Sequence, residues 1–162
     1  MMFKKLMNKK LVKNEKGLTL VELLAVIVIL AIVAAIAVPA IGNVIENSRY
    51  KAAKADAITV LNAANIYFTE KSDKTTVNVA TLKKQGYLED FGTITVGAEG
   101  DTTANIVEKV TDGGNKFTGS AKYSDVTVTF TGATIKTITE DVRSAKEARG
   151  TDAGKEITVP KK

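Results

Sequence analysis

Residues 18–41 read LTLVELLAVIVILAIVAAIAVPAI, 24 residues that carry a single charge, Glu22. Wound as a helix rising ~1.5 Å per residue, the run reaches roughly 36 Å, enough to cross a bilayer. Six lysines (Lys4, Lys5, Lys9, Lys10, Lys13 and Lys16) precede it, whereas only Arg49, Lys51 and Lys54 follow soon after. By the positive-inside rule the N-terminus stays in the cytoplasm and the bulk of the chain goes outside. Two residues do not suit a plain span. An unpaired carboxylate such as Glu22 costs about 2.5–3.5 kcal/mol at mid-bilayer and less near an interface. Pro39 lacks a backbone donor and disfavours helix at Val38.

Two simpler readings compete. A secretory signal also has a basic start and an apolar stretch, and Ala35-Ile36-Ala37 resembles an A-x-A cleavage site. The run before that site is too long for such a signal and includes Glu22. A plain membrane anchor accounts for neither Glu22 nor Pro39.

Lys16-Gly17-Leu18-Thr19-Leu20-Val21-Glu22, set before a long apolar helix, resembles the processing site of type IV prepilins and pseudopilins. The resemblance implies a cut between Gly17 and Leu18 by a membrane aspartyl peptidase, then N-methylation of Leu18, which stands where the family more often has Phe. It gives Glu22, the fifth mature residue, the role of neutralising the new amine, commonly that of a neighbouring subunit. It makes Pro39 the helix break near which the helix loosens during assembly. A glycine on the leader side lets a protease approach the backbone closely. Desolvated opposite charges cost less paired than apart. Leu18 and Glu22 are also i and i+4, so pairing within one subunit stays open.

The expected organisation is a basic leader over residues 1–17, a membrane and filament-core helix over 18–42 and an exported head over 43–162. Within the head, the second half of the helix spans 43–71, a connecting loop and short helix 72–91, and an antiparallel sheet 92–162. In the helical part, Tyr50, Ala53, Ala57, Leu61, Ala64 and Phe68 recur at three- and four-residue steps, forming one apolar stripe. Joined to the apolar run, this predicts one helix of about 50 residues. Asn78 can cap a short helix whose C-terminal left-handed position falls to Gly86, and Val79 and Leu82 face inward. The stretch Leu82–Leu88 resembles a segment common between helix and sheet in pilins. Strands are expected at Thr93–Val96, Asn105–Val110, Ser124–Phe130, Thr134–Thr139 and Glu156–Val159. Turns are expected at Gly97–Gly100, Asp112–Asn115, Gly132 and Gly150–Gly154, with a helix over Glu140–Arg149. The fold class is therefore α+β, a long N-terminal helix packed on an antiparallel β-sheet, as in the pilin fold.

The formal net charge of +5 resides in residues 1–17, where six lysines face only Glu15, and the remainder is neutral overall. It therefore says nothing of a nucleic-acid partner. The chain has neither Cys nor His, which removes disulfides, thiolate nucleophiles and the usual general base. By the resemblance, the lack of Cys fits pilins of Gram-positive bacteria better than those with a C-terminal disulfide loop. Asp101 and Asp112–Asn115 lack calcium-loop spacing, and the neighbouring carboxylates Glu89-Asp90 and Glu140-Asp141 point apart. No catalytic residue, metal site or cofactor is expected, and the protein is not expected to be an enzyme. Arg49, Tyr50, Lys51 and Lys54 are the one basic-aromatic cluster past the leader. A solvated or lipid-headgroup face explains them better than DNA binding, and host-surface binding has no residue behind it. Tyr50 and Phe68 are better read as core than as an aromatic path along a filament, since aromatics make up only 6% of the chain.

The leading function is a pilus subunit serving adhesion, surface motility or DNA uptake. It would begin as a single-pass precursor in the cytoplasmic membrane and end in an extracellular homopolymer. Its partners would be copies of itself, the prepilin peptidase and the inner-membrane assembly machinery. The alternatives are a pseudopilin of a secretion system and a secreted binding module released near Ala37.

Overall fold

The computed structural model describes residues 19–96, 104–149 and 156–159. The elements in order are α1 (Leu20–Glu70), β1 (Thr76–Asn78), α2 (Val79–Lys84), β2 (Ile106–Glu108), β3 (Lys116–Tyr123), β4 (Val126–Ala133), α3 (Ile135–Glu140), α4 (Ala145–Arg149) and β5 (Glu156–Val159). The chain divides after Ala40 into two compact units.

In the first unit the described residues are almost wholly helix. From Leu20 to Val38 every large apolar side chain is exposed, so this helix is apolar all round and has no core of its own to cover. α1 is long and apolar enough to cross a membrane. It runs through Pro39 without interruption, as the expected single long helix does, and the loosening expected near that residue belongs to assembly. The missing donor of a proline costs the helix one hydrogen bond and does not by itself end it.

The second unit is a helix on a sheet. All six residues of the expected stripe, from Tyr50 to Phe68, are buried, joined by Val60, Ala63 and Tyr67. They share one core with Val107, Phe117, Ala121, Val128, Phe130, Ile157 and Val159. The rings of Phe117 and Phe130 sit 5.5 Å apart. Burial of these faces against each other is the main driving force for this unit.

The sheet runs in the order β1-β2-β3-β4-β5. The first four strands are antiparallel, but β5 lies parallel to β4, pairing Thr127 with Glu156 and Phe130 with Val159. The fully antiparallel sheet expected from sequence is corrected in that one pairing. Its reason is topological, because α3 and α4 intervene and let β5 run the same way as β4.

Other expectations shift in detail. Thr93–Val96 is reduced to one bridge, Ile94 to Ala121, and β2 is shorter than Asn105–Val110. β1 and β3 were not foreseen. Thr134–Thr139 is a helix rather than a strand. Thr134 Oγ1 accepts from Thr137 N (3.2 Å) while Thr134 N donates to Thr137 Oγ1 (2.9 Å), a reciprocal cap that starts α3. Glu140–Arg149 is helical only at Glu140, the end of α3, and over α4. Gly132 is no turn but an irregular residue inside β4, with φ of 57°, where the β3–β4 register slips between Phe117 and Gly119. The turns expected at 97–100 and 150–154 lie outside the described residues. α2 forms as expected: Asn78 Oδ1 accepts from Thr81 N (2.7 Å), and Gly86 takes φ of 81°. Gly86 N donates to Lys83 O and Tyr87 N to Leu82 O, the paired bonds of a Schellman ending.

Candidate functional site

Gly17 and Leu18, the expected processing and methylation residues, lie outside the described residues. The site begins for us at Thr19, one residue before α1. Thr19 N and Thr19 Oγ1 both donate to Glu22 Oε2, at 2.9 and 2.8 Å, and Glu22 N donates to Thr19 Oγ1 at 3.2 Å. This is a capping box, T-x-x-E, which satisfies two donors that the first turn of a helix leaves without partners. Sequence reading singled out Glu22 but not Thr19, although the spacing alone carries the signal. Glu22 is exposed, as are Leu23, Leu24, Val26, Ile27 and Val28 after it. The first turn thus offers one solvated carboxylate, held by its own chain, at the head of an uncovered apolar helix.

In the second unit the basic-aromatic cluster does not form one surface. Tyr50 is in the core, Lys54 is half-buried, and Arg49 and Lys51 are exposed. Tyr50 and Phe68 pack as core, as expected.

A polar network that sequence reading missed centres on Asp141, whose side chain is only 3% exposed. Arg143 grips it with both arms of its fork, Nε to Oδ1 at 2.8 Å and Nη2 to Oδ2 at 2.9 Å. Tyr50 Oη donates to Oδ2 at 2.6 Å. Arg143 N donates to Oδ1 at 3.2 Å, which closes an Asx-turn over residues 141–143. Arg143 Nη2 also reaches Thr158 O at 3.2 Å, and Lys54 Nζ donates to Asp141 O. The network ties α1, the α3–α4 connection and β5 together. Hydrogen bonds from Arg143 hold the Asp141 carboxyl well below the usual carboxylate range. Burial, and next the bond to Asp141, push the Tyr50 hydroxyl up. Burial pushes the Lys54 ammonium down, opposed by the charge of Asp141. Adjacent Glu140 and Asp141 differ in environment: Glu140 pairs with Lys136 on the exposed face of α3, whereas Asp141 is buried in the network. Among the described residues no group of three or more Asp or Glu could hold a metal.

Residues 12–38 match the family model described as the prokaryotic N-terminal methylation motif. Neither the curated proteins nor the solved structures returned a match to the chain. The matched motif, the long apolar helix behind it and the helix-on-sheet unit that follows support a type IV pilin precursor.

Proposed function

We propose that the chain is the structural subunit of a type IV pilus or a related pseudopilus, with no catalytic activity of its own. Residues 1–17 are removed by a prepilin peptidase after Gly17, and Leu18 is methylated. Residues 18–42 hold the precursor in the cytoplasmic membrane as a single pass and later form the filament core, and 43–162 are the head displayed outside. The observation that carries this reading is the methylation motif over residues 12–38, which ends inside the first part of α1, where every large apolar residue from Leu20 to Val38 is exposed. Such a helix needs either lipid or copies of itself around it.

The physical account of assembly follows from that helix. Leaving the membrane exchanges lipid contacts for helix-helix packing, and the mature amine of Leu18 then needs a counter-charge in a dry core. Glu22 can supply it once one of its Thr19 bonds is shared or released. Loosening near Pro39 is proposed for this step and is a change from the continuous helix described above. The length of the apolar run before Ala37 and the charge of Glu22 within it favour this reading over release of the head by signal cleavage there.

Electron microscopy of cells with and without the chain tests the role. Filaments should vanish on deletion and return on complementation, with the chain as a stoichiometric component. Filaments that persist unchanged, or that contain none of it, would count against a structural subunit.

A further inference from the structure

α1 holds one proline and one glycine, Pro39 and Gly42, and Asn43 follows them directly. All three are poor residues for a helix interior. Proline lacks a donor, glycine loses the most backbone freedom, and the asparagine side chain competes for backbone partners. Packing calls for none of them. Residues 38–45 are all exposed, and nothing lies within 4 Å of where a Cβ on Gly42 would stand. The boundary between the two compact units falls in the same stretch, after Ala40.

Just beyond it α1 is fixed to the head. Glu46 pairs with Arg149 of α4, Asn47 Oδ1 accepts from Ala145 N at 2.9 Å, and Tyr50 joins the Asp141 network. Asn43 and Glu46 also stand in the N-x-x-E spacing of a capping box, the arrangement that Thr19 and Glu22 close at the start of α1. Within α1 no other Ser, Thr, Asn or Asp has Glu or Gln three places on. In the middle of a continuous helix such a box is idle, because the preceding turn already takes the backbone donors. It acts only where a helix begins, and there asparagine ranks among the best caps.

We propose that Asn43 and Glu46 are a latent helix start. As the subunit enters the filament, α1 opens over residues 39–42 and restarts at Asn43. The proposal rests on the filament reading above, with its loosening near Pro39, and adds where the opening ends and what ends it. Opening strips the first turn of the restarted helix of its partners. The Asn43 side chain then accepts from the Glu46 amide, and the Glu46 carboxylate accepts from the Asn43 amide. A carboxylate has two oxygens, so the pairing with Arg149 persists through the change. Gly42 gives the joint its free dihedrals. The bonds from Ala145 and Asp141 keep the restarted helix on the head, whose core stays intact.

Backbone carbon chemical shifts report conformation residue by residue, so solid-state NMR of labelled filaments, set against the same mature subunit in detergent micelles, tests the restart. Residues 40–43 should be helical in micelles and non-helical in filaments, with Val44 onwards helical in both. Filaments in which residues 40–43 stay helical overturn the proposal and leave the filament reading intact. Loss of helix that runs past Glu46 overturns it as well. Absence of the chain from filaments would remove both readings. Variants separate a cap from an ordinary helix position. Asn43→Ala improves the continuous helix but cannot cap, so it should raise helix stability in micelles and yet lower filament abundance about tenfold. Processed subunit should be unchanged. Asn43→Ser, which keeps the cap, should assemble like the wild type. Filaments of Asn43→Ala at wild-type abundance, or an equal loss in Asn43→Ser, contradict the latent start.

Discussion

Glu22 has two employments in this account. In the structure its carboxylate closes the capping box with Thr19, and in the proposed filament it offsets the Leu18 amine. The two predict different variants. Thr19→Ala removes the cap, worth about 1 kcal/mol of local helix stability, and should leave filament yield only modestly reduced. Glu22→Ala strips the amine of its counter-charge, which costs on the order of 3–5 kcal/mol when a buried pair loses one partner. Glu22→Lys should be worse, since it adds a second cation. Sheared filaments and processed subunit, quantified together, check both. Processing should survive both Glu22 changes, because Glu22 lies several residues beyond the scissile bond. Gly17→Val, by contrast, should leave a full-length membrane precursor, since a branched Cβ obstructs close approach to the backbone. Immunoblots of membranes for the size of the subunit settle that outcome.

Asp141 is a second residue whose charge carries a prediction. Its folded carboxyl sits below its unfolded range, chiefly because Arg143 bonds to it. A depressed carboxyl contributes stability that is complete above the unfolded value near ~3.9 and is lost as pH falls through and below it. Asp141→Asn should therefore be markedly less stable than the wild type at pH 7, by about 2–3 kcal/mol from weakened charged hydrogen bonds. The difference should narrow towards pH 3. Denaturant midpoints of both proteins at the two pH values measure this, and a constant gap would contradict the charge as its source.

Among the elements, α3 shows where local composition misleads. Ala133-Thr134-Ile135-Lys136-Thr137-Ile138-Thr139 is rich in β-branched residues and reads as strand by propensity. The Thr134–Thr137 box and the i, i+3 spacing of Ile135 and Ile138 decide otherwise, with Ile138 buried. Thr134→Ala should destabilise the head by about 1 kcal/mol, read as a shift in its thermal midpoint. Long periodic signals were readable: the stripe of α1 and the Asn78–Gly86 frame of α2 both follow from residue spacing. β3 was less readable, because Gly119 interrupts the apolar face that Phe117, Ala121 and Tyr123 form in alternation with Lys116, Thr118, Ser120 and Lys122. Its place comes from tertiary contact, since a Cβ on Gly119 would meet the Asn105 side chain and the Phe117 ring. The Asp141 network was equally hidden, because Tyr50 and Asp141 lie 91 residues apart. Glu22 and Pro39, whose assembly roles are proposals, stand out in sequence as a charge and an imino acid inside an apolar run.

At the scale of the molecule, two units with opposite surface chemistry share one chain. The first exposes its apolar residues, whereas the second buries most of its own from Tyr50 onwards. Residues 41–162 alone should therefore fold as a soluble, cooperatively melting domain, checked by circular dichroism against temperature. The longer chain should need detergent or membrane. The central claim, that the apolar unit is first a membrane segment and then a polymer core released by cleavage after Gly17, meets its most direct test in the N-terminal peptide of purified filaments. Mass spectrometry should find a subunit that begins at Leu18, bearing one methyl group on its amine. A subunit that begins at Met1 or at Val38 would contradict the account.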